Sequence, residues 1–144
     1  VDVRSENLSF SSKLIDGKYP DYNKVFPTGE PLPLEISKEI LQSALSRASV
    51  LSNEKYRGVR FQLSQNKLKL TANNPEQESA EEEVDVIYKG SDLEVGFNIG
   101  YLLDVLNSIE SETVFFEFYG EDSSCIIKEQ NSEDDVYVIM PMRL

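Results

Sequence analysis

From about residue 30 onward the chain alternates two hydrophobic rhythms. In one, every second residue is apolar; in the other, apolar residues recur every three to four. The first alternation, PLPLEI at 31–36, predicts a strand with prolines at its start. Ser37 then stands as an N-cap for a helix of roughly 37–49, whose apolar face would hold Ile40, Leu41, Ala44, Leu45 and Ala48. Alternation returns with Val59, Phe61 and Leu63 in GVRFQLS and with Leu68 and Leu70 in KLKLTA, joined by a turn at SQN, 64–66. A third strand begins near Glu78 and ends through Val84, Val86 and Tyr88.

The same order then repeats. Leu93, Val95 and Phe97 alternate as a strand, and Asn98 caps a helix whose Ile99, Leu102, Leu103 and Leu106 lie about one turn apart. Strands follow at TVFFEFY (113–119), SCIIK (124–128) and VYVIM (136–140). Two copies of one β-α-β-β-β unit predict an α+β fold in which two helices form a layer over a curved antiparallel sheet. Residues 1–19 belong to neither copy: VDVRSENLSFSSKL has hairpin character, and the following DGKYPDYNKVFPTGEP is rich in turn formers. Residues 1–22 therefore read as the tail of a preceding domain plus a linker, and 23–144 as a domain. A first residue of Val1 rather than Met agrees with that reading.

Composition narrows the chemistry. At 144 residues and 40% apolar content the chain can bury one sizeable core. Fourteen basic against 26 acidic residues give a net charge of −12, which repels phosphate backbones and anionic lipid. Direct DNA binding by this chain alone is disfavoured on that ground. The lone Cys125 cannot form an internal disulfide, no apolar run reaches the ~20 residues of a membrane span, and no signal peptide is visible, so a reducing, soluble compartment is the expectation. With no histidine, the Ser/His/Asp and Cys/His nucleophile systems and His-ligated zinc are excluded; no glycine-rich phosphate loop is present either. An enzyme made from this chain would rely on carboxylates, Lys or Tyr.

The densest carboxylates are in EQESAEEEVD, Glu76 to Asp85. As a metal site the stretch lacks the D-x-[DN]-x-[DN]-G pattern and its turn glycine, so a solvated or partner-facing strip is the plainer reading. A metal-assisted hydrolase using Glu76, Glu78 and Asp85 is the rival. The terminus is the second anomaly. Chain ends are usually polar and frayed, yet this one closes in YVIMPMRL. Because Pro141 has no N–H, ladder pairing should stop near Met140 and leave Met142, Arg143 and Leu144 outside the sheet, adding little to the fold.

Five stretches together, KLIDGKYPDYNKVFP, ASVLSNEKYRGVR, LTANNPEQESAEEE, GFNIGYLLDVLNSIES and the closing YVIMPMRL, resemble the β subunit of bacterial DNA polymerase III, the sliding clamp family. The resemblance runs in order along essentially the whole chain and corresponds to the family's C-terminal third, the end of its second domain and all of its third. It implies a non-catalytic, cofactor-free, cytoplasmic protein of DNA replication and repair. In that family six domains from two head-to-tail subunits close a ring around duplex DNA. The ring holds polymerases on DNA as a processivity factor. It docks short peptides of replicative and translesion polymerases, the clamp loader and mismatch-repair proteins.

Carried over by resemblance, the peptide groove comprises Pro20, Lys24, Val25, Tyr56, Asn98, Tyr101, Ser124, Val138, Ile139, Met140, Pro141, Met142, Arg143 and Leu144. The residue types suit peptide capture, since flexible methionines accept varied side chains, and Asn98, Tyr101 and Arg143 can donate to a glutamine or to carbonyls. Without the resemblance, Val138, Met140 and Tyr101 would read as core. Lys24 stands where the family often has arginine, and Tyr56 where phenylalanine is frequent. The groove's other wall belongs to the second domain, so peptide affinity should be weaker than in an intact clamp. The resemblance also implies a subunit interface in which Val50 and Leu51 give apolar contact and Glu76, Glu78, Glu81 and Glu82 face basic residues of a partner's first domain. Without a first domain, this chain should be mainly monomeric.

Overall fold

In the computed structural model, which describes residues 1–14, 16–17, 21–52, 57–76, 78–130 and 135–144, the two repeats interlock. The first consists of strand β3 (Leu32–Ser37), helix α1 (Lys38–Val50) and the meander β4 (Gly58–Ser64), β5 (Lys67–Asn73), β6 (Ser79–Asp85). The second consists of β8 (Leu93–Asn98), α2 (Ile99–Ser108) and the meander β9 (Thr113–Phe118), β10 (Cys125–Glu129), β11 (Val136–Ile139). Ahead of them stand the hairpin strands β1 (Asp2–Ser5) and β2 (Leu8–Ser11) and a short 3-10 helix, Tyr22–Val25; β7 (Ile87–Tyr88) lies between the repeats.

Each meander takes its fourth strand from the other repeat. One sheet runs β6-β5-β4-β8 and the other β11-β10-β9-β3-β7, with antiparallel pairing throughout. The exchange is symmetric down to the register: Ser37 pairs with Thr113, and Asn98 with Gly58. The helices start at the same joint. Lys38 N–H donates to Glu112 O at 2.8 Å, and Ile99 N–H to Arg57 O at 2.8 Å. Asn98 caps α2 through its side-chain oxygen, which accepts from Tyr101 N–H at 3.3 Å. Ser37 holds the N-cap position of α1 but makes no side-chain cap bond.

Inward positions of the strands and one stripe of each helix make a single core. Four phenylalanines join the two sheets inside it: Phe61 meets Phe97 edge to face at 5.3 Å, and Phe116 stacks on Phe118 at 5.9 Å. Cross contacts at 6.4 and 6.3 Å connect the pairs. Each ring buried this way is worth about 1.5–3 kcal/mol relative to exposure.

Three expectations change. Ile40 is 52% exposed and faces solvent, because α1 buries only Leu41, Ala44, Leu45 and Ala48. The third strand does not run through to Tyr88. It ends at Asp85, and β7 pairs with β3 in the other sheet, Leu34 opposite Tyr88, where the tyrosine is fully buried. Asn66, in the left-handed region at φ 57°, secures the switch: its carbonyl accepts from Val86 N–H at 3.2 Å and its N–H donates to Tyr88 O at 3.1 Å. Finally, the single curved sheet is two sheets.

Candidate functional site

The C-terminal segment is held by β10 and the turn before it, and then by β4 and β8. Ladder pairing ends at Ile139, opposite Cys125, one residue earlier than Pro141 alone requires. Ser124, on the turn before β10, donates its hydroxyl to Met140 Sδ at 3.0 Å, holding a methionine that is otherwise 60% exposed. Beyond Pro141 the chain crosses the outer face of the four-stranded sheet, where Met142 N–H donates to Gly96 O at 2.9 Å. Leu144 packs onto Gly58 and Gly96, and Arg60 Nη2 approaches Leu144 O at 3.4 Å. The tail is thus outside the ladder, as Pro141 predicts, but it is fastened to the fold rather than hanging from it.

Alternation along β4 and β8 places Gly58, Arg60 and Gln62 beside Asn98, Gly96 and Glu94 on that outer face. Arg60 pairs with Glu94 at 2.9 Å, and Gln62 donates to the same carboxylate at 2.9 Å. Between tail and sheet lies a cleft of about 350 Å³ lined by Gly58, Arg60, Thr71, Asn73, Met142, Arg143 and Leu144. Gly58, Gly96 and Arg60 were not among the residues read from the sequence as functional. Only Gly96 carries a signal in the sequence: a glycine inside a strand marks a bulge or the close approach of another segment.

Of the expected groove residues, the structure gathers Asn98, Met142 and Leu144 about the β4–β8 joint and ties Ser124 to Met140. Tyr101 stands 63% exposed on the first turn of α2, with its N–H held by Asn98. Val138 and Pro141 are half-buried, and Arg143 is exposed without an ion pair among the described residues. Lys24 and Val25 lie on the short 3-10 helix, Val25 40% exposed, with no hydrogen bond joining them to the tail among the described residues. Ile139 is a correction: it is 5% exposed and packs in the core, because its strand position points inward, so its side chain lines no groove. Pro20 and Tyr56 fall outside the described residues.

The acidic strip also divides. Successive strand residues face opposite ways, so Glu81 and Glu82 cannot share a face. Glu82 turns toward α1 and takes a two-pronged bond from Arg47 at 2.7 and 2.8 Å; Glu81 pairs with Lys69 at 3.0 Å on the outer side. The Arg47 hydrogen bonds hold the Glu82 carboxyl below its ordinary value. Glu83 and Asp85 share Lys67, each at 2.8 Å. Glu78 is tied to Asn74, whose side chain both donates to its carboxylate at 2.7 Å and accepts from its N–H at 2.9 Å; Glu76 is exposed on the turn. Val50 is 78% exposed at the end of α1 and Leu51 half-buried beside it. The hydrolase reading loses its basis. Glu78 and Asp85 are seven residues apart along an extended segment, about 23 Å at ~3.3 Å per residue. No group of three or more potential ligands that could hold a metal ion occurs among the described residues.

The chain is a duplicated β-α-β-β-β domain of the α+β class, with exchanged strands and an exposed apolar terminus, and comparison with known proteins gives its family. Residues 23–143 match the family described as "DNA polymerase III beta subunit, C-terminal domain", and the chain belongs to that family. It is 53% identical to the beta sliding clamp of Pseudomonas aeruginosa and 50% identical to that of Escherichia coli K12. Both matches cover all of this chain but 39% and 41% of those proteins, so the chain spans about two-fifths of the relatives' length. Among solved structures, a Pseudomonas aeruginosa sliding clamp bound to griselimycin superposes with a TM-score of 0.86 at 53% identity, over 94% of this chain and 37% of that one. A Bartonella birtlesii clamp, also bound to griselimycin, gives a TM-score of 0.86 at 36% identity, with the same shares covered. No helix among the described residues is long and apolar enough to cross a membrane.

Proposed function

We propose that this chain is the part of a bacterial DNA polymerase processivity clamp that docks the clamp-binding peptides of polymerases, the clamp loader and repair proteins. It would act in the cytoplasm, without catalysis and without a cofactor. The observation that carries the reading is the tail: an apolar terminus fastened to the sheet yet left exposed, with Met140 at 60% and Leu144 at 52%. A core strand would bury such residues, and an idle terminus would not be fastened. An extended peptide would set leucine or phenylalanine side chains against Met140, Met142 and Val25, while Tyr101 and Arg143 donate to its polar groups. Residues 1–22 would be the end of a preceding domain, the source of the groove's second wall.

The whole ring would form head to tail. β6 lies at the end of its sheet with no strand on its outer edge among the described residues, and Val50 stands 78% exposed at the end of α1, the helix whose Arg47 binds Glu82 of β6. Edge and apolar knob together suit the first domain of a partner copy, with the exposed carboxylates of the β5–β6 turn choosing the partner by charge.

The test is a titration with a fluorescein-labelled peptide carrying a glutamine and a Leu-Phe pair, using the full 144-residue chain and the same chain lacking 142–144. Saturable binding, displaced by griselimycin and weakened about ten- to a hundredfold by the deletion, is expected. Equal affinity in both chains would remove the tail from the groove.

A further inference from the structure

Two of the seven glycines sit where the tail crosses the sheet. Gly58 on β4 and Gly96 on β8 lie diagonally on the outer face, their cross-strand partners being Asn98 and Arg60. Neither has a positive φ, so backbone conformation does not by itself call for glycine at either position. Glycine in a strand interior is also unfavourable in itself. What the two positions share is what stands over them. A Cβ on Gly96 would run into the carbonyl oxygen of Met142 and lie 2.9 Å from Leu144 Cγ and Cδ1; a Cβ on Gly58 would run into Leu144 Cδ2.

We infer that Gly58 and Gly96 form a side-chain-free seat that positions the C-terminal tail, and through it the docking wall of Met140 and Met142. They are positioning residues for peptide docking and touch no peptide themselves. The inference rests on the docking role proposed above. A side chain at position 96 lifts the tail and breaks the bond from Met142 N–H to Gly96 O, because the obstacle there is backbone. At position 58 the obstacle is the end of a leucine side chain, which can turn aside. Gly96→Ala is therefore the severe substitution and Gly58→Ala the mild one, and only the mild one is relieved by shortening Leu144.

The chain's two methionines, Met140 and Met142, are both on the tail, so a ¹³C-methyl-methionine spectrum reads its seating directly. In the full chain, Gly96→Ala is expected to move the Met142 methyl signal toward its position in the unfolded chain and to weaken the labelled peptide about tenfold. Gly58→Ala should weaken it about two- to fivefold, and combining it with Leu144→Ala should give no loss beyond that of Leu144→Ala alone. In the chain lacking 142–144 both glycine substitutions should leave peptide affinity unchanged and raise Tm, since alanine is the better strand residue. A parent-like Met142 signal and affinity in Gly96→Ala would overturn the seat, as would an equal loss in the shortened chain. If Gly96→Ala does not fold, Gly58→Ala with and without Leu144→Ala decides the matter. A parent chain that binds no peptide would sink the docking role while the methyl spectrum still judges the seat.

Discussion

Single side chains here are mostly spent on holding the surface in place, and two give direct tests. Cys125 is 1% exposed, and burial pushes its thiol well above the ordinary range. Thiol reagents attack the thiolate, so Cys125 should label only as fast as the chain opens; rapid labelling of the folded protein would contradict its burial. The Arg47–Glu82 pair gives a pH test. Glu82's carboxyl is depressed in the folded state, so the pair's stabilisation is present above the unfolded carboxylate range and fades as pH falls through the folded value. Arg47→Ala should lower Tm modestly at neutral pH, and the difference from the parent should vanish in acid and shrink in high salt. A difference that persisted below the carboxylate range would mean that Arg47 acts through packing. Neither residue's role was legible in sequence. Glu82 read as one of several equivalent carboxylates until α1 was seen to reach it, and Cys125 was informative only as a lone cysteine.

Among elements, the strands and helices were legible because each buries one face, and period 2 or 3.6 reports which. The failures occur where that rule is locally indifferent. Ile40 fits the apolar stripe of α1 by spacing, but the stripe is wider than the surface the sheets offer, and the position at its edge is left to solvent. Val84, Val86 and Tyr88 keep perfect alternation across the point where the chain changes sheets, because both sheets bury the same side. The tail shows the opposite case: Pro141 correctly ends the ladder, yet it says nothing about the bond from Met142 to Gly96. Deleting 142–144 removes that one backbone bond and the contacts of Leu144. It should therefore lower stability by about 1–2 kcal/mol, somewhat more than an idle terminus would. Thermal unfolding should remain a single cooperative transition. A collapsed fold would make the tail part of the core.

For the whole molecule, charge and topology govern association. With a net charge of −12, these 144 residues by themselves should show negligible duplex binding at physiological salt, where ordinary non-specific binders reach only ~10⁻⁴–10⁻⁶ M. A gel shift at micromolar protein would contradict this. Sedimentation should give mainly monomer on dilution, with weak association through Val50 and the free edge of β6 as concentration rises. A dimer mass that did not change with concentration would show a stronger interface than these features provide.

By itself the sequence determined the two β-α-β-β-β repeats, their helix starts at Ser37 and Asn98, most of the core-facing residues, and the anomaly of an apolar end. Tertiary structure alone decided that β3 and β8 trade places, that β7 joins the far sheet, that Arg47 of α1 reaches Glu82, and that the tail lies over two glycines. The physical reason is common to all four. Periodicity records which side of an element is buried, but every strand edge offers the same row of N–H and C=O groups. Which edge it meets, and what lies across its outer face, is settled only when the shape of the shared core, here the four phenylalanines between the sheets, brings distant segments together.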